Sequence, residues 1–167
     1  MLFDVLGRVT NGGDLLGRIV GNLDTEFLFE GHHQLDDVEA VSAQIVDEAG
    51  ILSDLVGFNA ESRISGRMLE RNVNVPVDVA WFKAKLSKAL EMRERLYSEP
   101  FYRLVHAEAD GLPGVVIDRF GDTVVLQPNA AWAEMKLDAL CEALLGLGGI
   151  TTILKNAAGR ARGLEGL

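Results

Sequence analysis

The chain has 167 residues, with 16 Lys+Arg against 25 Asp+Glu, a net charge of -9, 48% hydrophobic residues and a single Cys. That length builds one ordinary domain or two small ones around a real core, and the apolar-to-charged balance excludes a disordered chain. One cysteine excludes a disulfide framework and a Cys-based zinc cluster, and no apolar run reaches the roughly 18–20 residues of a membrane span.

The charge is uneven. Residues 1–80 hold 14 acids and 5 bases, a net of -9, whereas residues 81–167 hold 11 of each. Such asymmetry predicts two units with different surfaces, and an acidic front half argues against wholesale nucleic-acid binding there. The start Met1-Leu2-Phe3-Asp4-Val5 lacks the basic opening of a signal peptide, so the expected compartment is the cytoplasm.

In chain order, residues 2–9 and 15–20 read as strands around the turn Asn11-Gly12-Gly13-Asp14. Residues 38–46 are rich in β-branched side chains, and 51–58 and 64–69 follow as short strands. Frequent short strands predict a small barrel or sandwich. Asn74-Val75-Pro76-Val77 reads as a boundary, because a residue before proline is pushed toward extended conformations. Asp78 then stands at an N-cap, and residues 79–97 are helical in pattern. Phe82, Leu86, Ala89 or Leu90, and Leu96 or Tyr97 form the apolar stripe. Beyond it, 102–106, 115–120 and 123–127 read as strands. A helix over 131–145 is expected to bury Cys141, and a last strand spans 150–154.

Few residues invite chemistry on their own. His32-His33 are adjacent and would point to opposite faces of a strand, so one metal cannot take both. Glu108, Asp110 and Asp118 can be drawn as an acid/base set, but Asp110-Gly111 and Pro113-Gly114 are turn dipeptides, where Asp bonds local backbone. Neither GxGxxG nor GxxxxGK[ST] occurs. Catalytic, metal and cofactor residues are therefore expected to be none. The basic residues expected to meet RNA are Lys83, Lys85, Lys88, Arg93 and Arg95 on the helix, with Arg63, Arg67 and Arg71 from the acidic half.

One string is distinctive: Glu108-Ala109-Asp110-Gly111-Leu112-Pro113-Gly114-Val115-Val116-Ile117-Asp118-Arg119-Phe120-Gly121-Asp122. It resembles the signature of the PUA-domain-containing class I rRNA methyltransferases, which move a methyl group from S-adenosylmethionine to carbon 5 of a large-subunit rRNA cytosine. Asp78-Val79-Ala80-Trp81-Phe82 resembles the family's linking helix, and Tyr102-Arg103-Leu104-Val105 the strand before the signature. Arg162-Gly163-Leu164-Glu165-Gly166-Leu167 resembles its R-x-x-E-G-L. Upstream, Ile45-Val46-Asp47-Glu48-Ala49-Gly50 and residues 57–64 are similar to the second half of a PUA barrel. The early PUA segment, basic in the family, here reads Asn22-Leu23-Asp24-Thr25-Glu26-Phe27-Leu28-Phe29.

The resemblance implies an α+β chain with a β-rich PUA-like barrel over residues 1–76. A linking helix over 77–98 and an α+β middle module over 99–167 follow it. The methyltransferase domain, with its S-adenosylmethionine, is expected to lie outside these residues, leaving the 167 residues inactive alone. Large-subunit rRNA is the expected partner, weakened by the acidic first half; no membrane is expected. Homodimerisation or association with a separate methyltransferase domain completes the partner expectations. The alternative is a free-standing acidic PUA-like module that engages a protein.

Overall fold

The computed structural model describes residues 4–9, 15–21, 23–29, 41–46, 52–59, 61–72 and 74–167, with side chains from Asp54 onward. The chain divides into two compact units, residues 1–75 with Gly166, and 76–165 with Leu167. Strands and helices coexist as an α+β architecture.

The first unit holds β1 Asp4–Val9, β2 Leu15–Gly21, β3 Leu23–Phe29, β4 Val41–Val46, β5 Leu52–Phe58 and β6 Gly66–Glu70. They form one antiparallel sheet in sequential order, and among the described residues no β1–β6 pairing closes it. β3 went unread as a strand, although Leu23, Thr25, Phe27 and Phe29 alternate with Asp24 and Glu26, the period of a pleated sheet. β6 begins at Gly66 rather than Ile64 because residues 61–65 form a turn tied to Asn59. The Asn59 Oδ1 accepts the Glu61 N–H at 3.0 Å, and Asn59 N–H donates to the Ser65 carbonyl at 2.8 Å.

The second unit is two-layered. Its sheet runs β10-β9-β8-β7, where β7 is Phe101–His106, β8 Val115–Phe120, β9 Thr123–Pro128 and β10 Thr152–Lys155. β9 and β10 are parallel; the other pairs are antiparallel. One face carries Leu104, Ile117, Val124 and Leu126, fully buried together with Phe82 and Leu86 of α1 (Val79–Leu96) and Leu140 and Leu144 of α3 (Leu137–Leu145). α1 and α3 pack against each other, and α1 against β7.

Two helical expectations need correction. The apolar stripe of α1 stops near Ala89, since Leu96 and Tyr97 are 69% and 51% exposed. The helix expected over 131–145 breaks at Lys136 (φ -99°, ψ 17°) into α2, Ala131–Met135, and α3. Three consecutive residues, Ala131, Trp132 and Ala133, are buried in α2. Leu140, Ala143 and Leu144 are buried in α3. Cys141 is accordingly half-buried, not enclosed.

Candidate nucleic-acid interface

Helix α1 is the centre of the candidate interface. The Asp78 carboxylate accepts the Trp81 N–H at 2.9 Å, capping its first turn as the sequence predicts. Trp81 and Phe82 anchor the helix: Phe82 stacks on Trp132 at 6.1 Å between ring centroids, and Trp81 meets Trp132 edge-on at 6.3 Å.

The five bases of α1 do not share one face. At about 100° per residue, Lys83 and Lys88 lie roughly 140° apart around the axis. Both are exposed. Lys85 is half-buried, with its Nζ 4.6 Å above the Trp81 ring in a cation–π contact. Arg95 is exposed and pairs with Glu91 one turn earlier. Arg93 is the clear correction: it follows Phe82, Leu86 and Ala89 onto the buried side and is 12% exposed. Its Nη1 and Nη2 donate to the two Asp110 oxygens at 2.8 and 2.6 Å, and its Nε to the Arg103 carbonyl at 3.1 Å. Every side of that guanidinium is committed within the unit, so no phosphate can take its place without breaking the fork.

Of the first-unit arginines, Arg63 is exposed within the turn of residues 61–65 and Arg71 is exposed just beyond β6. Arg67 is half-buried on β6, between exposed Gly66 and exposed Met68. Four of the eight expected residues, Arg63, Arg71, Lys83 and Lys88, are thus exposed and make no ion pair among the described residues.

The signature string is built as a joint. The Asp110 carboxylate, besides holding Arg93, accepts the His106 N–H at 2.6 Å across the 3-10 turn Ala107–Asp110. Gly111 follows at φ 72°, Leu112 is fully buried, and the Val115 N–H returns to the Leu112 carbonyl at 3.0 Å around Pro113-Gly114. The Pro113 carbonyl accepts the Trp132 indole N–H at 2.9 Å. Asp118 is paired with Arg103 across β7 and β8 at 2.9 Å. Asp110 and Asp118 are thus each the partner of an arginine, Arg93 and Arg103, where the turn chemistry alone points only to local backbone bonds. Arg119, buried within β8, donates to the Tyr102 hydroxyl at 3.2 Å and the Gly121 carbonyl at 2.9 Å.

The R-x-x-E segment closes the same unit. Arg162 lies in the short helix α4, Arg160–Gly163, and donates to the Pro128 carbonyl and to Glu134 at 2.8 Å. The buried Glu165 accepts the Ala131 N–H at 3.3 Å. Burial pushes the Glu134 carboxyl up, but hydrogen bonds from Lys155 and Arg162 outweigh it and hold it below the ordinary glutamate range. The hydrogen bond and charge of Asp118 push Arg103 up against a smaller opposing effect of burial. The roles of Arg93 and Arg162 were missed in sequence; the place of Arg93 on the apolar stripe was the signal for the first.

Among the described residues no group of three His, Cys, Asp or Glu could hold a metal, and His32-His33 lie outside those residues. Among the described residues no element pattern fits S-adenosylmethionine. A nucleotide-type cofactor sits where a strand passes through a Gly-rich turn into a helix. Here β9 enters α2 through Asn129-Ala130, with no glycine, and β10 leads only to the four-residue α4. No helix among the described residues is long and apolar enough to cross a membrane.

No family model matches the chain. Over 106 residues it is 39% identical to the ribosomal RNA large subunit methyltransferase I of Cronobacter sakazakii, covering 62% of this chain and 27% of that protein. The methyltransferase I proteins of Salmonella arizonae and Escherichia coli O139:H28 are 40% and 37% identical over 103 residues, covering 60% of this chain and 26% of each relative. The chain thus spans about a quarter of the length of the curated relatives it matches. A solved Streptococcus mutans structure described as a SAM-dependent methyltransferase aligns with TM-score 0.60 at 18% identity, over 66% of this chain and 30% of that one. A methyltransferase solved in complex with SAH aligns at 0.55. At such identity these two likenesses speak for the fold alone.

Proposed function

We propose that this chain is the RNA-recognition and spacer portion of an S-adenosylmethionine-dependent large-subunit rRNA cytosine methyltransferase. The observation that carries this reading is the 37–40% identity to methyltransferase I proteins over 103–106 residues. The methyl donor, when bound elsewhere in such an enzyme, supplies the transferred group; these residues hold and space the RNA.

In this reading residues 1–76 form a PUA-like barrel, for which six sequential antiparallel strands are the raw material. Residues 77–98 are the linking helix and 99–167 the middle module. Lys83, Lys88, Arg63 and Arg71 are the phosphate contacts, with Arg95 able to leave its exposed Glu91 partner, since such surface pairs contribute little. Arg93 orients α1 and touches no RNA.

Salt-dependent titration against large-subunit rRNA fragments tests the assignment. Each phosphate contact on single-stranded RNA contributes roughly 0.7 to the log–log salt slope. Lys83→Gln with Lys88→Gln is expected to flatten the slope by about 1.4. An unchanged slope removes these lysines from the interface. Failure of the wild-type chain to bind any fragment favours the acidic protein-interaction alternative, which the -9 carried by residues 1–80 supports.

A further inference from the structure

The sheet of the second unit has one face under helices and one without them. Residues 101, 103, 116, 118, 120, 123, 125, 152 and 154 alternate with the buried set and so lie on the second face. Register places Phe101 directly opposite Phe120, and Phe120 opposite Thr123 across the Gly121-Asp122 hairpin. Phe101 is 62% and Phe120 53% exposed, and Leu154 on the same face is 56% exposed. Two aromatic side chains in cross-strand register on an open sheet face offer an apolar surface suited to a flat partner.

The next row along the sheet identifies the chemistry. Arg103 lies two residues from Phe101 on the same face and opposite Asp118. Its Nε and Nη2 donate to the two Asp118 oxygens at 2.9 and 3.2 Å, which fixes the guanidinium plane and leaves Nη1 without a partner among the described residues. The side chain remains 46% exposed. A fixed, permanently charged plane beside two exposed phenyl rings matches a ligand with flat π-faces and anionic links. Unpaired nucleotides have both.

We propose that this open sheet face is a stacking platform for unpaired RNA bases, with Phe101 and Phe120 as the stacking surfaces and Arg103 as the phosphate or base-edge contact. The inference rests on the rRNA reading for its ligand and deepens it: the chain would take single-stranded rather than helical RNA, because a duplex keeps its base faces internal. Asp118 neutralises much of the charge on this face, so stacking rather than counterion release supplies its affinity.

Fluorescence anisotropy with the full 167-residue chain tests the platform. The probes are a labelled 12-nucleotide single-stranded RNA, the same strand annealed to its complement, and an abasic chain of equal length. The wild type is expected to prefer the single strand. Phe101→Ala and Phe120→Ala are each expected to weaken that binding by about 5-fold or more without changing the salt slope. Phe120→Trp should restore it, and Arg103→Gln, which leaves Asp118 uncompensated on this face, should weaken binding further. Both phenylalanines are exposed, so the thermal unfolding of the variants should match the wild type.

Equal binding by wild type and alanine variants, or an equal loss on the abasic chain, overturns the platform. So does sedimentation in which the alanine variants abolish self-association while RNA binding is untouched, which would make the face a protein contact. Binding of large-subunit rRNA fragments that the Phe changes leave intact sinks the platform and spares the RNA assignment. Failure of the wild type to bind any RNA sinks the assignment as well.

Discussion

Gly114 shows how one missing carbon holds the signature turn. A Cβ there would stand 2.6 Å from the Ala130 Cβ, at φ +76°. Gly121 has a similar φ of +69° but open space around it. Gly121→Ala is expected to lose only the backbone strain, about 1–2 kcal/mol, and Gly114→Ala about 2–4 kcal/mol because the clash adds to it. Urea denaturation of both variants measures the difference. At Cys141, burial first and Asp138 second push the thiol pKa up, partly offset by Lys155. A raised pKa means less thiolate near neutrality, so labelling by a disulfide reagent at pH 7.5 should be slower than for a free cysteine and keep rising beyond pH 9. Glu134 has the opposite sign. Its folded pKa is depressed, so its contribution is present above the unfolded value of about 4.3 and is lost as pH falls through the lower folded value. Glu134→Gln should cost about 1–2 kcal/mol at pH 6 and lose less stability than the wild type between pH 5 and 3.

Among the elements, α1 carries both the candidate phosphate contacts and the tie to the signature. Asp78→Ala removes one cap hydrogen bond and should cost about 1 kcal/mol. Asp110→Asn should cost more, about 3 kcal/mol, because Asp110 is 5% and Arg93 12% exposed, and a buried guanidinium would lose its countercharge. Chemical denaturation orders the two variants; a larger loss for Asp78→Ala would show that the cap, not the fork, fixes the helix. The heptad-like alternation of α1 was legible in sequence down to Ala89. Past that point the stripe is continued by Arg93, and hydropathy alone marks an arginine as solvent-facing. Only the position of Asp110, seventeen residues later, turns Arg93 inward.

For the whole molecule, both tryptophans, Trp81 and Trp132, are buried in the unit of residues 76–165. Indole fluorescence therefore reports that unit alone, whereas far-UV circular dichroism reports strands of both. Residues 76–167 produced without the first unit should give a fluorescence unfolding transition that overlays that of the full chain, since the core around Phe82, Leu86, Leu140 and Leu144 is their own. A transition displaced to lower denaturant would show that the second unit depends on the first.

Local chemistry in the sequence was enough for the strands of the second unit and for α1, for the Asp78 cap, for the Pro113-Gly114 turn and for the family resemblance, but not for the break at Lys136 that divides α2 from α3. Each of these depends on neighbours within a few residues, where propensity, capping and turn geometry act. The tertiary structure alone decided which charges stay available. Arg93, Arg103, Arg119 and Arg162 read alike as basic residues, yet their partners are Asp110, Asp118, Tyr102 and Glu134, fifteen to twenty-eight positions away. It also set Phe101 opposite Phe120, because strand register is a long-range property that no window of local pattern contains.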